Sequence, residues 1–86
     1  MILTTKYSNQ VLRFLKGIDV DLNFRIQEKI RDLCEDPFPR DSKRIEGTKL
    51  KLFRVRIGKY RILYEVDYSG GSLGIVKIDK REKVYD

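Results

Sequence analysis

From Leu52 onward, apolar and charged residues alternate with the period of a half-buried strand. Phe53, Val55 and Ile57 alternate with Arg54 and Arg56; after a short break, Tyr60, Ile62, Tyr64 and Val66 alternate with Arg61, Leu63 and Glu65. The break is Gly58-Lys59. A two-residue loop with glycine first suits a tight hairpin, because that position takes a positive φ. The turn predicts the register: Ile57 opposite Tyr60, Arg56 opposite Arg61, Val55 opposite Ile62, and Arg54 opposite Leu63. One face of the hairpin is then apolar throughout. The other sets Arg56 directly against Arg61, with Arg54 two residues along.

Patterns elsewhere supply the remaining elements. Met1 to Tyr7 reads as a strand, at an edge or in the centre of a sheet. Ser8 is a suitable N-cap for a helix from Asn9 to Lys16, with Val11, Leu12 and Leu15 as its apolar side and Gly17 as its end. Either Asp19 or Asp21 caps a longer helix reaching Glu35 or Asp36, where Pro37 disfavours further helix. Leu22, Ile26, Ile30 and Leu33 recur there at helical spacing, with Cys34 beside them. Phe24 falls off this stripe, either to pack on the first helix or to meet a partner. So short a turn between two helices predicts an antiparallel hairpin. Pro37 to Lys49 reads as a polar connection along the surface. Tyr68 to Ser72 reads as a turn, and Leu73 to Asp79 as a third strand of the meander. Strict alternation puts Gly74, Val76 and Ile78 on one side of that strand, and Leu73, Ile75, Lys77 and Asp79 on the other. Pairing Asp67 with Leu73 sets Asp79 opposite Arg61 and brings Lys77 and Arg81 to the arginine face. The expected fold is a single α+β domain over residues 1–86. It has two layers: an N-terminal strand, an antiparallel helical hairpin, then a three-stranded antiparallel meander. The helices cover the apolar face, and the arginines occupy the open one.

Composition narrows the chemistry. The 86 residues are 41% hydrophobic, which suits a globular fold. No apolar run approaches the ~20 residues of a membrane span, and no signal-peptide pattern opens the chain, so a cytoplasmic protein without membrane contact is expected. Histidine is absent and Cys34 is the sole cysteine. Histidine-based acid–base chemistry, a Ser-His-Asp arrangement and a zinc cluster are therefore excluded, and neither a metal nor another cofactor is expected. Cys34 reads as a buried structural thiol.

The net charge of +6 is concentrated: residues 43–61 carry eight Lys and Arg against Glu46 alone, a net of +7, which leaves −1 for the rest. Such a patch favours nucleic acid or an acidic protein. Like charges directly opposite one another destabilise a sheet, so Arg56 against Arg61 makes sense if a polyanion lies between them. The arginine fork binds phosphate bidentately and keeps its charge. The alternative is a solvated face whose long side chains splay into water.

Ile45-Glu-Gly47, then Leu52 through Val66, then Lys80-Arg-Glu-Lys-Val-Tyr85 together resemble the RelE/ParE toxin superfamily, over the whole chain. The resemblance implies a type II toxin, archaeal or bacterial, held inactive by a small RelB-like acidic antitoxin in a higher-order complex. Its RelE branch consists of mRNA interferases, metal-independent endoribonucleases that inhibit translation by cutting mRNA in the ribosomal A site through attack of the ribose 2′-hydroxyl. The family's basic pair falls on Arg54 and Arg56, its second-strand arginine on Arg61, and its terminal arginine and tyrosine on Arg81 and Tyr85. Several members carry lysines where this chain has Arg54 and Arg56. An arginine does not act as a general base, so these two read as phosphate clamps. The base then falls to Tyr85, with Lys51 and Lys77 as outside candidates. Two rivals stand beside this reading: a ParE-like poison of DNA gyrase, and a non-catalytic RNA- or ribosome-binding module.

Overall fold

Helix α1, Asn9–Lys16, begins where the Ser8 hydroxyl accepts a hydrogen bond from the Val11 N–H at 3.2 Å. The same hydroxyl donates to the Val76 carbonyl at 2.7 Å, so the cap also ties the helix to the sheet. Gln10 repeats the tie two residues on, donating to the Ile78 carbonyl at 2.9 Å and accepting from the Ile78 N–H at 3.1 Å. Gly17 ends α1 with φ −99°, outside the left-handed region that usually favours glycine there. Helix α2, Val20–Glu35, is capped by Asp19, whose Oδ1 accepts from the Leu22 N–H at 2.8 Å. It stops at Asp36, in extended backbone ahead of Pro37.

The computed structural model describes residues 2–47, 49 and 51–80. The strands are β1 (Thr4–Tyr7), β2 (Lys43–Arg44), β3 (Phe53–Ile57), β4 (Tyr60–Asp67) and β5 (Ser72–Lys80). They form one sheet in the order β1-β5-β4-β3-β2, with β1 parallel to β5 and the other neighbours antiparallel. The expected meander is present, with β1 added at one edge and β2 at the other. Strand β2 arises inside the connection read from sequence as surface coil. Helix α1 rests on β5, whereas α2 meets β1, β3 and β5. Val11, Ile26, Ile30 and Leu33 from the helices share one core with Val55, Ile62, Tyr64, Leu73, Ile75 and Ile78 from the sheet. Cys34 is buried beside them, its Sγ 3.1 Å from Thr5 Oγ1. Phe24 is exposed on α2, away from this core.

The β3–β4 hairpin has the expected register, from Ile57 opposite Tyr60 to Phe53 opposite Tyr64, around Gly58 at φ +55°. The β4–β5 pair corrects the sequence reading. Asp67 pairs with Ser72 and Val66 with Leu73, so Asp67 is not opposite Leu73. The register then shifts between Leu63 and Tyr64: Tyr64 faces Ile75, while Leu63 faces Lys77. Val76 is the extra residue of a β-bulge. The physical reason is plain. Leu73, Ile75 and Ile78 are all buried, and unbroken alternation from Leu73 and Ile75 would carry Lys77 and Asp79 into the core. The bulge resets the phase, sending Ile78 inward and Lys77 and Asp79 to the open face.

Tyr64 fastens the chain after α2 to the sheet. Its hydroxyl donates to the Pro37 carbonyl at 2.6 Å, and Phe38 packs edge-on against Phe53 with ring centroids 4.8 Å apart. Burial pushes the Tyr64 pKa up to about 12.

Candidate nucleic-acid interface

The alternation that buries Val55 and Ile62 turns Arg54, Arg56 and Arg61 to the opposite face of the sheet. Strand register arranges that face in two rows. Arg56 lies opposite Arg61, which lies opposite Asp79. Alongside, Lys43, Arg54, Leu63 and Lys77 face one another across four strands. Five cations therefore meet a single carboxylate in these rows.

Asp79 engages Arg61 at two points: Arg61 Nε is 3.3 Å from Oδ1, and Nη2 is 3.4 Å from Oδ2. Lys77 Nζ stands 3.6 Å from the same Oδ2. All three distances exceed the ~2.7–2.9 Å of a tight charge-assisted bond, so the clasp is loose. Arg54 is 8% exposed, a correction to the picture of a fully solvated row, while Arg56 is exposed.

Of the residues singled out in the sequence, the structure brings together Arg54, Arg56, Arg61 and Lys77. Lys51 is exposed ahead of β3 and has no place in either row. Arg81 and Tyr85 lie outside the described residues. Two further residues belong to the face. Lys43 joins it through β2, and Asp79 is its counter-charge. Arg25 of α2 approaches the hairpin turn from the helical side: a Cβ on Gly58 would lie 3.4 Å from its Nη2.

The basic character ends toward the other end of the sheet. Gly74 lies between Lys6 of β1 and Glu65 of β4, leaving a groove of about 660 Å³ that Asp67 and Ser72 also line. Its mixed charge sets it apart from the rows of Arg56 and Arg54, where the cations are concentrated.

Fixed guanidinium groups at this density can hold a phosphodiester and stabilise charge that develops on its oxygens. Proton transfer needs another group. Tyr7 donates to Gln27 at 3.2 Å and has its pKa raised by burial; Tyr64 is buried; Tyr60 packs on Phe14 at 5.6 Å. Each of these tyrosines serves the packed side of the sheet. Tyr68 sits at the β4–β5 turn, beyond the arginine rows.

Comparison with known proteins places the chain. A family model described as the ParE toxin of the type II toxin–antitoxin system, parDE, matches residues 5–85. The protein named RelE1 of Methanocaldococcus jannaschii is 33% identical over 88 residues, covering 99% of this chain and 97% of that one. Among solved structures, the archaeal RelE–RelB complex of Pyrococcus horikoshii matches with a TM-score of 0.83 at 30% identity, covering 98% of this chain and 100% of the other. The RelBE2 toxin–antitoxin complex of Mycobacterium tuberculosis matches with a TM-score of 0.78 at 25% identity, covering 94% and 100%. The isolated RelE toxin of E. coli, at 14% identity and a TM-score of 0.80 over 95% and 87%, shares the fold.

Proposed function

The chain belongs to the RelE/ParE toxin superfamily as a RelE-like toxin of a toxin–antitoxin system, and from that premise we propose that it is a ribosome-dependent endoribonuclease that cleaves mRNA in the A site. The observation that supports this most is Arg56 set directly against Arg61 in the register of the sheet. Asp79 offsets part of the repulsion within the pair, and a phosphodiester bound across both arginines would offset more of it. Arg54, Arg56 and Lys77 grip the backbone, and Arg61 and Arg81 stabilise the phosphoryl oxygens.

In the reaction, the ribose 2′-oxygen bonds to the adjacent phosphorus while the bond from phosphorus to the 5′-oxygen breaks. The 2′-hydroxyl proton passes to a base, and a proton is delivered to the leaving 5′-oxygen. The products are a 2′,3′-cyclic phosphate and a 5′-hydroxyl. Tyr85 is assigned the proton transfer. The step requires no metal. The protein acts in the cytoplasm, and an acidic RelB-like antitoxin is its partner, in keeping with the RelB chains bound to the solved relatives.

Toeprinting during in vitro translation tests the reading. Wild type should give cuts within the A-site codon, and Arg61→Ala should give none at equal ribosome occupancy. A gyrase poison, the rival reading, would instead leave transcripts whole and inhibit DNA supercoiling. Ribosome binding with neither effect would leave a non-catalytic module.

A further inference from the structure

Asp79 is the one carboxylate in the two rows of the arginine face, and it is there because of the bulge at Val76. Its two oxygens meet Arg61 along one edge of the guanidinium, at Nε and Nη2. Arg61 and Asp79 are both partly buried, at 29% and 27% side-chain exposure, so screening by water is reduced but not abolished.

We propose that Asp79 is a positioning residue: it holds Arg61 by Nε and Nη2 and so fixes the orientation of the guanidinium toward the scissile phosphate. The inference rests on the nuclease reading and deepens it. Asp79 touches neither substrate nor product. It has two opposed effects. As an anion beside the phosphate path, it weakens RNA binding. As an anchor for Arg61, it raises the rate of the bound complex, because a cation fixed in advance needs no reorganisation when charge develops. The loose contacts, 3.3 and 3.4 Å, allow the guanidinium to settle onto phosphate without first breaking a tight ion pair.

The two effects move in opposite directions, which makes them separable. In Asp79→Asn, an RNA carrying a 2′-deoxy block at the cleavage position should bind roughly fivefold more tightly at low salt, the scale of one unit charge removed near 4 Å in water. The single-turnover cleavage rate at saturating RNA and ribosomes should fall about 10- to 100-fold, as for a misplaced stabilising group. Asp79→Glu, which keeps the charge and the two acceptors, should recover most of the rate and return binding toward wild type. The Arg61 Nε–H signal in the NMR spectrum should be protected from exchange in wild type and Asp79→Glu, and broadened in Asp79→Asn. Thermal unfolding of each variant controls for the fold.

A rate in Asp79→Asn that holds or rises while binding tightens would overturn the proposal, making Asp79 an electrostatic brake only. So would equal losses in both substitutions with unchanged Nε–H protection, the mark of a purely structural role. If wild type cuts no RNA, the nuclease reading fails on its own, and the Nε–H protection in Asp79→Asn still decides whether Asp79 orients Arg61.

Discussion

Arg61 and Ile62 are neighbours on one strand and belong to different worlds. Ile62 is fully buried between the sheet and the helices, whereas Arg61 lies on the opposite face between another arginine and a carboxylate. Everything on the Ile62 side is mutually supportive: apolar side chains, capped helices and satisfied hydroxyls. The Arg61 side instead gathers five cations around the one carboxylate of Asp79. A sheet this thin keeps the two roles apart by nothing more than the alternation of side chains along a strand. Stability and chemistry should therefore be separable by substitutions one residue apart.

The largest effect tests the chemical side alone. Tyr85→Phe should slow cleavage at saturating ribosomes by about 10²–10⁴-fold, the range for loss of a general acid or base, with the melting temperature unmoved. An unchanged rate would take Tyr85 out of the mechanism.

Next comes the contrast within β4. Ile62→Ala should lower stability by about 2–5 kcal/mol, through lost burial and the cavity left behind. Arg61→Ala should shift stability by less than about 1 kcal/mol, since it removes a loose, partly solvated ion pair together with repulsion from Arg56. Denaturant unfolding of both variants checks this. A costly Arg61→Ala would mean that the open face also holds the fold together.

The smallest effect lies within the packed side and depends on pH. Tyr64 keeps its proton in the folded chain up to about 12, whereas an unfolded tyrosine loses it near 10. The stability it contributes is therefore complete below pH 10 and is lost as pH rises from 10 toward 12, by about 2–3 kcal/mol at the limit. Tyr64→Phe should cost about 1 kcal/mol at neutral pH, for the hydrogen bond to Pro37. The gap between variant and wild type should close and then reverse across that alkaline window. Parallel pH profiles for the two proteins would show that Tyr64 does not titrate as its surroundings require.

How much of this could be read in the chain depends on what fixed each register. The β3–β4 hairpin was fully legible, because a two-residue turn leaves one pairing open and Gly58 marks it. The β4–β5 pair was legible only at its far end. Arg61 does face Asp79, but Asp67 faces Ser72 and not Leu73, because one inserted residue cancels against one residue of turn length. The clue was in the apolar pair Ile75-Val76, where alternation breaks. Lys43 is legible as part of the basic segment, but its place on the arginine face is not, because a strand as short as β2 has no period to detect. The helical caps at Ser8 and Asp19 were visible in residue type alone, although Asp21 competed with Asp19 until the hydrogen bond to Leu22 decided it. For Arg81 and Tyr85, the sequence offers only a likeness to a family. For Arg54, Arg56 and Arg61, it offers an independent physical oddity.

Strand β1 has a single strand neighbour, β5, and lies at the edge of the sheet. Thr4 must find Ser72, and the Ser8 cap must find Val76, 68 positions away. During synthesis the first strand thus emerges long before its partner exists. The local pieces, α2 and the β3–β4 hairpin, can form early, but closure waits for the most distant contact in the fold. Chain growth then acts as a timer: a nascent or prematurely ended product lacking β5 has an orphaned first strand, an unroofed α1 and no Asp79 beside Arg61. Such a fragment has no finished arginine face, and that face is completed only once β5 is in place.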